Sequence, residues 1–378
     1  MKDSASVLII GAGIIGASLA YNLAKKGMNG VVVLDKGGSG STAASFGGFR
    51  HQFSNGLSVQ LSIESVKLIE NFEQETGYDP IVKHDGYLFV ASSEKSFTQL
   101  EKNKKLVASL GIPVELLSGE QLQSIFPYYS FAGMLGGTLC MKDGHASTSA
   151  VHQGFISKAT EMGVSFYGNT EVTKIARSAS AVTGVTSSRG EISSKKMVIA
   201  AGAYSGLVGG LASVKIPIKP YPRKILVTHS FSDGIPWEVP LIIDVDSTLT
   251  IGREGKGVIM ADNSPVESGF ELAFPTEFDE RVISMAVSRV PALSRATLSY
   301  ANSGLYEMTP DSNPIVSPIT DVEGLYCCAG FAGHGFMHAP AIGELMAELI
   351  AGERPHLDIS SFHIERFKGV TSTEGLII

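Results

Sequence analysis

Val7-Leu8-Ile9-Ile10-Gly11-Ala12-Gly13-Ile14-Ile15-Gly16 stands near the start of the chain, and the rest is read outward from it. The four apolar residues predict a buried strand and the three glycines a turn. Ala17 to Lys26 then predicts a helix, with Ile15, Leu19 and Leu23 on one face and Gly27 suited to a left-handed stop. Val31-Val32-Val33-Leu34 predicts a second buried strand, ending in Asp35. In a unit of this kind Gly11 permits the tight turn, Gly13 lets the backbone approach a pyrophosphate, and Gly16 lets helix and strand pack closely. The helix N-terminus offers amide groups and the positive end of a dipole to the phosphates. Asp35 follows Gly16 by 19 residues, where a ribose hydroxyl needs an acceptor. The stretch predicts an adenine dinucleotide site. A signal peptide accounts for the hydrophobicity of residues 6 to 24 but not for glycines at turn spacing, and its basic region would be Lys2 alone, beside Asp3.

The bulk composition narrows the class. A chain of 378 residues predicts two domains, and 44% apolar with 18% charged residues describes a well-buried globular protein. A net charge of −7 argues against nucleic acid and against an anionic membrane surface as partners. Three cysteines (Cys140, Cys327 and Cys328) without metal-like spacing argue against a disulfide framework, which fits the reducing cytoplasm. No stretch reads as a membrane span.

After Asp35 and Lys36, residues 37 to 51 are rich in glycine and hydroxyls and close on Phe49-Arg50-His51. A flexible surface linker would share that composition. Its place after a dinucleotide-binding strand favours a backbone that runs beside a flat cofactor. A helix is expected over 58 to 76, a strand at Tyr87 to Ala91, a helix over 96 to 110, and a capping box from Ser118 and Gln121. Strands resume between Gly133 and Met141, so residues 86 to 142 form a mixed insertion. A helix over 147 to 162 precedes strands at Val164 to Tyr167, Glu171 to Ile175, Val182 to Thr186 and Met197 to Ala200, the last running into Ala201-Gly202-Ala203. From 216 to 300 prolines punctuate a second, antiparallel insertion with one helix over 276 to 290. The chain returns through Gly304-Leu305-Tyr306-Glu307-Met308-Thr309-Pro310-Asp311 to a strand at Gly324 to Ala329. A second glycine turn, Gly330-Phe331-Ala332-Gly333-His334-Gly335-Phe336-Met337, leads into a helix reaching Ala351.

Taken in order, the Gly11–Gly16 turn, the Ala200 to Ala203 strand end and the Gly330 to Phe336 turn resemble the FAD-dependent D-amino-acid oxidase superfamily. Phe49-Arg50 with Gly333-His334-Gly335-Phe336 narrows the resemblance to sarcosine oxidase-like enzymes, especially the β subunits of heterotetrameric sarcosine oxidase and dye-linked L-proline dehydrogenase. It covers nearly all of residues 5 to 366. The resemblance implies an α/β chain, α+β overall: a Rossmann-like FAD-binding domain (1–85, 143–215 and 301–366) interleaved with an antiparallel-sheet substrate domain (86–142 and 216–300), and a tail over 367–378. It implies FAD held by Gly11, Gly13, Ile14, Ile15, Gly16, Asp35, Lys36, Ser41, Thr42, Val172, Ala201 and Gly202. Gly333, His334, Gly335, Phe336 and Met337 would run along the flavin ring, where the helix N-terminus stabilises the negative charge of reduced flavin.

Departures from the family are part of the expectation. The cysteine that binds flavin covalently in monomeric sarcosine oxidases is Gly304 here, which implies noncovalent FAD. Met337 stands where those enzymes place a carboxylate-binding lysine, so Arg50 becomes the candidate clamp for a substrate carboxylate. The lysine credited with oxygen activation has no counterpart at Val258-Ile259-Met260, which favours a dehydrogenase over an oxidase. His51 and Tyr306 are further candidate pocket residues. His334 and His338, four apart, have no third ligand in the sequence, and no metal is expected. The expected reaction is hydride transfer to flavin from a small amino acid with a secondary or N-methyl amine, of sarcosine or L-proline type. Open alternatives are a D-amino acid, glycine or glycerol 3-phosphate substrate, a β-like subunit needing a partner subunit or electron acceptor, and an NAD-binding dehydrogenase.

Overall fold

The structure is a computed structural model and describes residues 1–38 and 40–368. Strand Val7–Ile10 lies at the centre of a six-stranded sheet, paired in parallel with Val31–Leu34 on one side and Met197–Ile199 on the other. Ser165–Tyr167 extends the first edge, and Leu325–Ala329 with the antiparallel Ile315–Pro318 extends the second. Because alternate residues face opposite sides, these apolar strands feed two cores. Val7, Ile9, Val31 and Val33 pack against helices Ile14–Lys25, Thr148–Glu161 and Gly335–Ala351. Leu8, Ile10, Val32 and Leu34 pack against the three-stranded antiparallel sheet of Val172–Arg177, Val182–Ser187 and Gly190–Ser193.

The second layer is an eight-stranded sheet in the spatial order Leu298–Met308, Lys219–Thr228, Gly257–Asp262, Leu249–Glu254, Leu241–Asp244, Tyr87–Ala91, Gly136–Cys140, Glu115–Ser118. It is antiparallel throughout except where Leu241–Asp244 joins Tyr87–Ala91 in parallel. That one parallel pair welds the two insertions into a single sheet. Helix Thr276–Arg289 covers one face over Leu226, Ile242, Ile251 and Met260. The opposite face carries Tyr87, Phe89, Val227, Leu241 and Ile259 and is covered in part by helix Glu94–Ser109 through Leu100.

Two expectations are corrected. The helix expected over 58 to 76 is two, Gly56–Glu70 and Phe72–Thr76, because the Asn71 side chain bonds back to the Lys67 carbonyl (2.8 Å) and ends the first one. The expected domain boundary at 300/301 falls inside strand Leu298–Met308, which pairs with Lys219–Thr228 along its length. The Ser118–Gln121 capping box is present with both reciprocal hydrogen bonds, at 3.2 and 2.8 Å. Of the tail expected over 367–378, residues 369–378 lie outside the described residues.

Candidate cofactor and substrate site

The first glycine turn sits at the carboxyl end of the central strand, where open parallel sheets hold nucleotides. Gly11 takes φ +112°, and a Cβ there would land on the Ala200 carbonyl oxygen, so the turn and the Ala200–Gly202 strand end touch backbone to backbone. A Cβ on Gly16 would likewise strike the Gly11 carbonyl oxygen, which is the close helix–strand packing that the sequence called for. Ile14 and Ile15 open the helix and are buried. Asp35 reaches back to the turn: Oδ2 accepts from the Ala12 amide (2.7 Å) and Oδ1 from the Gly37 amide (2.7 Å). His152 Nε2 holds the Ala12 carbonyl from the other side at 2.6 Å.

The loop after Asp35 folds back over this turn. Ser41–Ala44 is one short helix; Thr42 Oγ1 accepts from the Ile14 amide (3.0 Å), and Ser41 donates to the Leu305 carbonyl (2.6 Å). Lys36 lies over the Tyr204 ring, 3.1 Å from its centroid. Val172 is buried at the start of its strand, on the same side of the sheet as Leu34. Ala201 and Gly202 lead into the 3-10 turn Gly202–Tyr204.

The second glycine turn closes the site. His334 is the N-cap of helix Gly335–Ala351, whose Phe336 and Met337 are buried. Gly333 has φ +86°, and Tyr306 occupies the space next to it. Arg50 is buried; Nη1 donates to the Gln52 carbonyl (3.1 Å) and Nη2 to His334 Nε2 (3.0 Å), and the guanidinium lies 4.4 and 5.0 Å from the Phe53 and Phe89 ring centroids. Because Arg50 can only donate, His334 Nε2 is an acceptor and its ring proton sits on Nδ1. Burial, reinforced by Arg50 and His338, holds the His334 pKa well below the ordinary histidine value. His338 is drawn down to about 3 by burial and then by Arg50, and it bonds Ser62 Oγ (3.1 Å) rather than sharing a ligand with His334.

His51 lies on the same loop and is bonded to Asp143. Its backbone amide and Nδ1 both donate to Asp143 Oδ1, at 2.7 and 2.8 Å, and Gln52 Nε2 donates to Oδ2 at 3.1 Å. Asp143 is fully buried and provides negative charge in the field of Arg50. His51, Cys140 and Asp143 are the one trio of potential metal ligands among the described residues. The Asp143 carboxylate already accepts three hydrogen bonds there, which gives it a structural use without a metal.

Two residues that the sequence reading passed over complete the site. Glu307 is buried behind the second glycine turn: Oε1 accepts from the Phe331 amide (3.3 Å), its carbonyl accepts from Ala332 (3.0 Å), and Oε2 has no hydrogen-bond partner among the described residues. A Cβ on Gly202 would lie 3.5 Å from that oxygen. Burial pushes the Glu307 pKa up to about 7, against the lowering effect of the Gly330 and Phe331 amides. Arg223, paired across strands with Gly304, places its guanidinium 5.4 Å from the Tyr306 ring centroid. Asp143, Glu307 and Arg223 carry no local motif, so only the folded arrangement identifies them.

A glycine turn under a helix N-terminus, an acid at the next strand end and a second glycine turn with its own helix define a flavin-dependent oxidoreductase of two interleaved layers. The chain belongs to the DAO family, described as FAD dependent oxidoreductase, whose pattern matches residues 6–349, and it uses FAD. It is 29% identical to sarcosine oxidase subunit beta of Arthrobacter sp over 97% of this chain and 92% of that protein. It is 31% identical to FAD-dependent oxidoreductase domain-containing protein 1 of Xenopus laevis, over 97% of this chain and 83% of that protein. Among solved structures, L-proline dehydrogenase from P. horikoshii superposes with a TM-score of 0.91 at 29% identity, over 97% and 99% of the two chains.

The residues present fit FAD. The turn at Gly11 leaves no side chain between the backbone and an approaching phosphate, and the unpartnered, buried Glu307 Oε2 lies beside Gly202 at the carboxyl ends of the strands. Among the described residues no helix is long and apolar enough to cross a membrane.

Proposed function

We propose that this enzyme oxidises a small amino acid bearing a secondary or N-methyl amine, of the sarcosine and L-proline type. The observation that carries the reading is the Arg50–His334 pair. A buried guanidinium, held by a neutral imidazole and a backbone carbonyl, stands at the second glycine turn, through His334. The names of the similar proteins, sarcosine oxidase subunit beta and L-proline dehydrogenase, support the substrate class.

Bound FAD supplies a two-electron acceptor: the C–H bond next to the amine breaks, its electron pair leaves as hydride, and the nitrogen lone pair forms the C=N bond. Arg50 would grip the substrate carboxylate and so orient the C–H bond next to the amine. His334, uncharged, keeps the guanidinium in place without adding a second cation. Tyr306 and Met337 wall the amine, and His51, locked to Asp143, fixes the backbone on which Arg50 stands. Gly11, Gly13, Ile14, Ile15 and Gly16 would hold the pyrophosphate, Asp35 and Lys36 the adenosine end, and Ser41, Thr42, Val172, Ala201 and Gly202 would line the cofactor. Gly333, His334, Gly335, Phe336 and Met337 would border the flavin ring.

FAD is held without a covalent bond at residue 304, since glycine offers no nucleophile there. The cytoplasm is the proposed compartment: Cys140, Cys327 and Cys328 are buried free thiols, in keeping with a reducing environment. A partner subunit or external electron acceptor belongs to the same proposal, supported by the subunit beta name of the Arthrobacter protein. The division into an FAD-binding and a substrate domain is proposed along the two large sheets, with strand Leu298–Met308 assigned to the substrate sheet.

The test is an anaerobic titration of the flavin spectrum with sarcosine, L-proline, glycine and D-amino acids. Bleaching by sarcosine or L-proline is expected. Bleaching only by glycine or a D-amino acid would move the reading to primary amines.

A further inference from the structure

We propose that the substrate pocket takes an amino dicarboxylate, with Arg223 binding the second carboxylate; this deepens the reading above and rests on it. The paired strands Lys219–Thr228 and Leu298–Met308 set Tyr221 opposite Tyr306 and Arg223 opposite Gly304. Directly opposed residues share a face and successive ones alternate, so these four side-chain positions look the same way. That face meets the cofactor-binding layer at two points. The Tyr306 ring packs beside Gly333, and a Cβ on Gly304 would come within 2.7 Å of the Ala44 Cβ. Arg50 reaches the same face, since its guanidinium lies over Phe89.

Two guanidiniums thus act on one tyrosine: both Arg223 and Arg50 oppose the upward shift that burial imposes on the Tyr306 hydroxyl. They differ in how they are satisfied. Arg50 has Asp143 in its field and its imidazole partner. The hydrogen bonds of Arg223 go from Nη1 to the carbonyls of Pro222 (3.2 Å) and Ser264 (3.4 Å), which fix the fork. Its Nε is buried with no partner among the described residues.

Asp262 is the acid nearest in effect to Arg223, but its carboxylate is committed elsewhere. Oδ1 accepts from Thr248 (2.7 Å) and the Ser264 amide (2.8 Å), and Oδ2 pairs with Arg281 (2.6 Å). A buried cationic donor without an acceptor is costly, and a planar carboxylate matches the guanidinium fork. A substrate with one carboxylate uses Arg50 and leaves the Arg223 Nε bare. A substrate with a second carboxylate satisfies both, its carbon framework lying along Phe89, Ile225 and Ile259 of the same face.

The test uses the FAD-loaded enzyme and two readouts. Non-oxidisable acids are titrated by their perturbation of the visible flavin band, comparing malonate and succinate with acetate and propionate. Iminodiacetate and N-methylaspartate are then compared with sarcosine and L-proline as anaerobic reductants. The expected result is at least a tenfold preference for the dicarboxylates in both series. Arg223→Met should bring the dicarboxylate-to-monocarboxylate ratio down to about one, and Arg223→Lys should retain part of the preference.

Equal affinity for mono- and dicarboxylates in the wild-type enzyme overturns the proposal, as does an Arg223→Met variant that weakens both classes alike. If sarcosine or L-proline bleaches the flavin but no dicarboxylate preference appears, only this inference fails. If no amine of either class bleaches it and no acid perturbs its spectrum, the underlying reading of the site fails.

Discussion

The ring of Tyr306 occupies the space a side chain at residue 333 would need: a Cβ there would stand 2.5 Å from its Cζ. Residue 333 is also in the left-handed region, at φ +86°. Gly333→Ala therefore combines a backbone cost of roughly 1–3 kcal/mol with displacement of Tyr306. The variant should purify with less flavin per protein and a lower Tm. Adding Tyr306→Ala should recover part of the flavin content, read from the absorbance ratio of the flavin and protein bands. No recovery would place the whole effect in the backbone.

Arg50→Lys keeps a positive charge but loses the planar fork and its bond to His334. A loss of about 100-fold in kcat/KM is expected, near 3 kcal/mol of transition-state binding. Most of it should appear in KM, with flavin content unchanged. A fall in kcat alone would show that Arg50 does not grip the ground-state carboxylate.

Asp143 joins two residues of the Arg50 loop, His51 and Gln52, to the start of strand Gly144–His145. Asp143→Ala strands buried donors and removes the buried charge in the field of Arg50, for which a cost of about 3–5 kcal/mol is expected. Asp143→Asn keeps an acceptor for the His51 amide and should lose less. Denaturant unfolding of the two variants gives the comparison directly.

Glu307 makes stability depend on pH. Its folded pKa, about 7, lies above the ordinary glutamate value of 4.5. Between those two values the folded protein holds more protons than the unfolded one, so this group lowers stability as pH rises through that window. Below it the group contributes no change, and above it the loss is complete, a few kcal/mol in all. Glu307→Gln should flatten that part of the curve, measured as Tm of the apoprotein between pH 5 and 8. An unchanged slope would assign the pH dependence to other groups.

The parts of this molecule legible in the sequence are those whose physics is local. Gly11, Gly13 and Gly16 announce a turn because a strand precedes them and a helix follows. Ser118 and Gln121 announce a helix start because their reciprocal bonds span three residues. The buried pair Cys327 and Cys328 could be read as small apolar residues from the strand around them. The illegible parts depend on contacts distant in sequence. Asp143 meets His51 across 92 positions, and an aspartate before a glycine reads as a turn residue in any sequence. Glu307 sits in a strand where an isolated acid reads as solvent-facing, and only its neighbours from 330–332 and 202 reveal its burial. The composition changes at 300/301, but the strand and its pairing with Lys219–Thr228 run on across that point.

That strand, Leu298–Met308, has one end among exposed residues, from Leu298 to Ala301, and the other against the Ala332 amide and Gly202. It passes Gly304 and Tyr306 on the way, with Lys219–Thr228 bonded alongside for its whole length. The wall proposed to select the substrate and the wall proposed to touch the cofactor are thus one ribbon, with no joint between them. Exchanging the substrate layer between relatives as a cassette would require a cut through this ribbon, between residues that pair with Lys219–Thr228 on both sides of the cut.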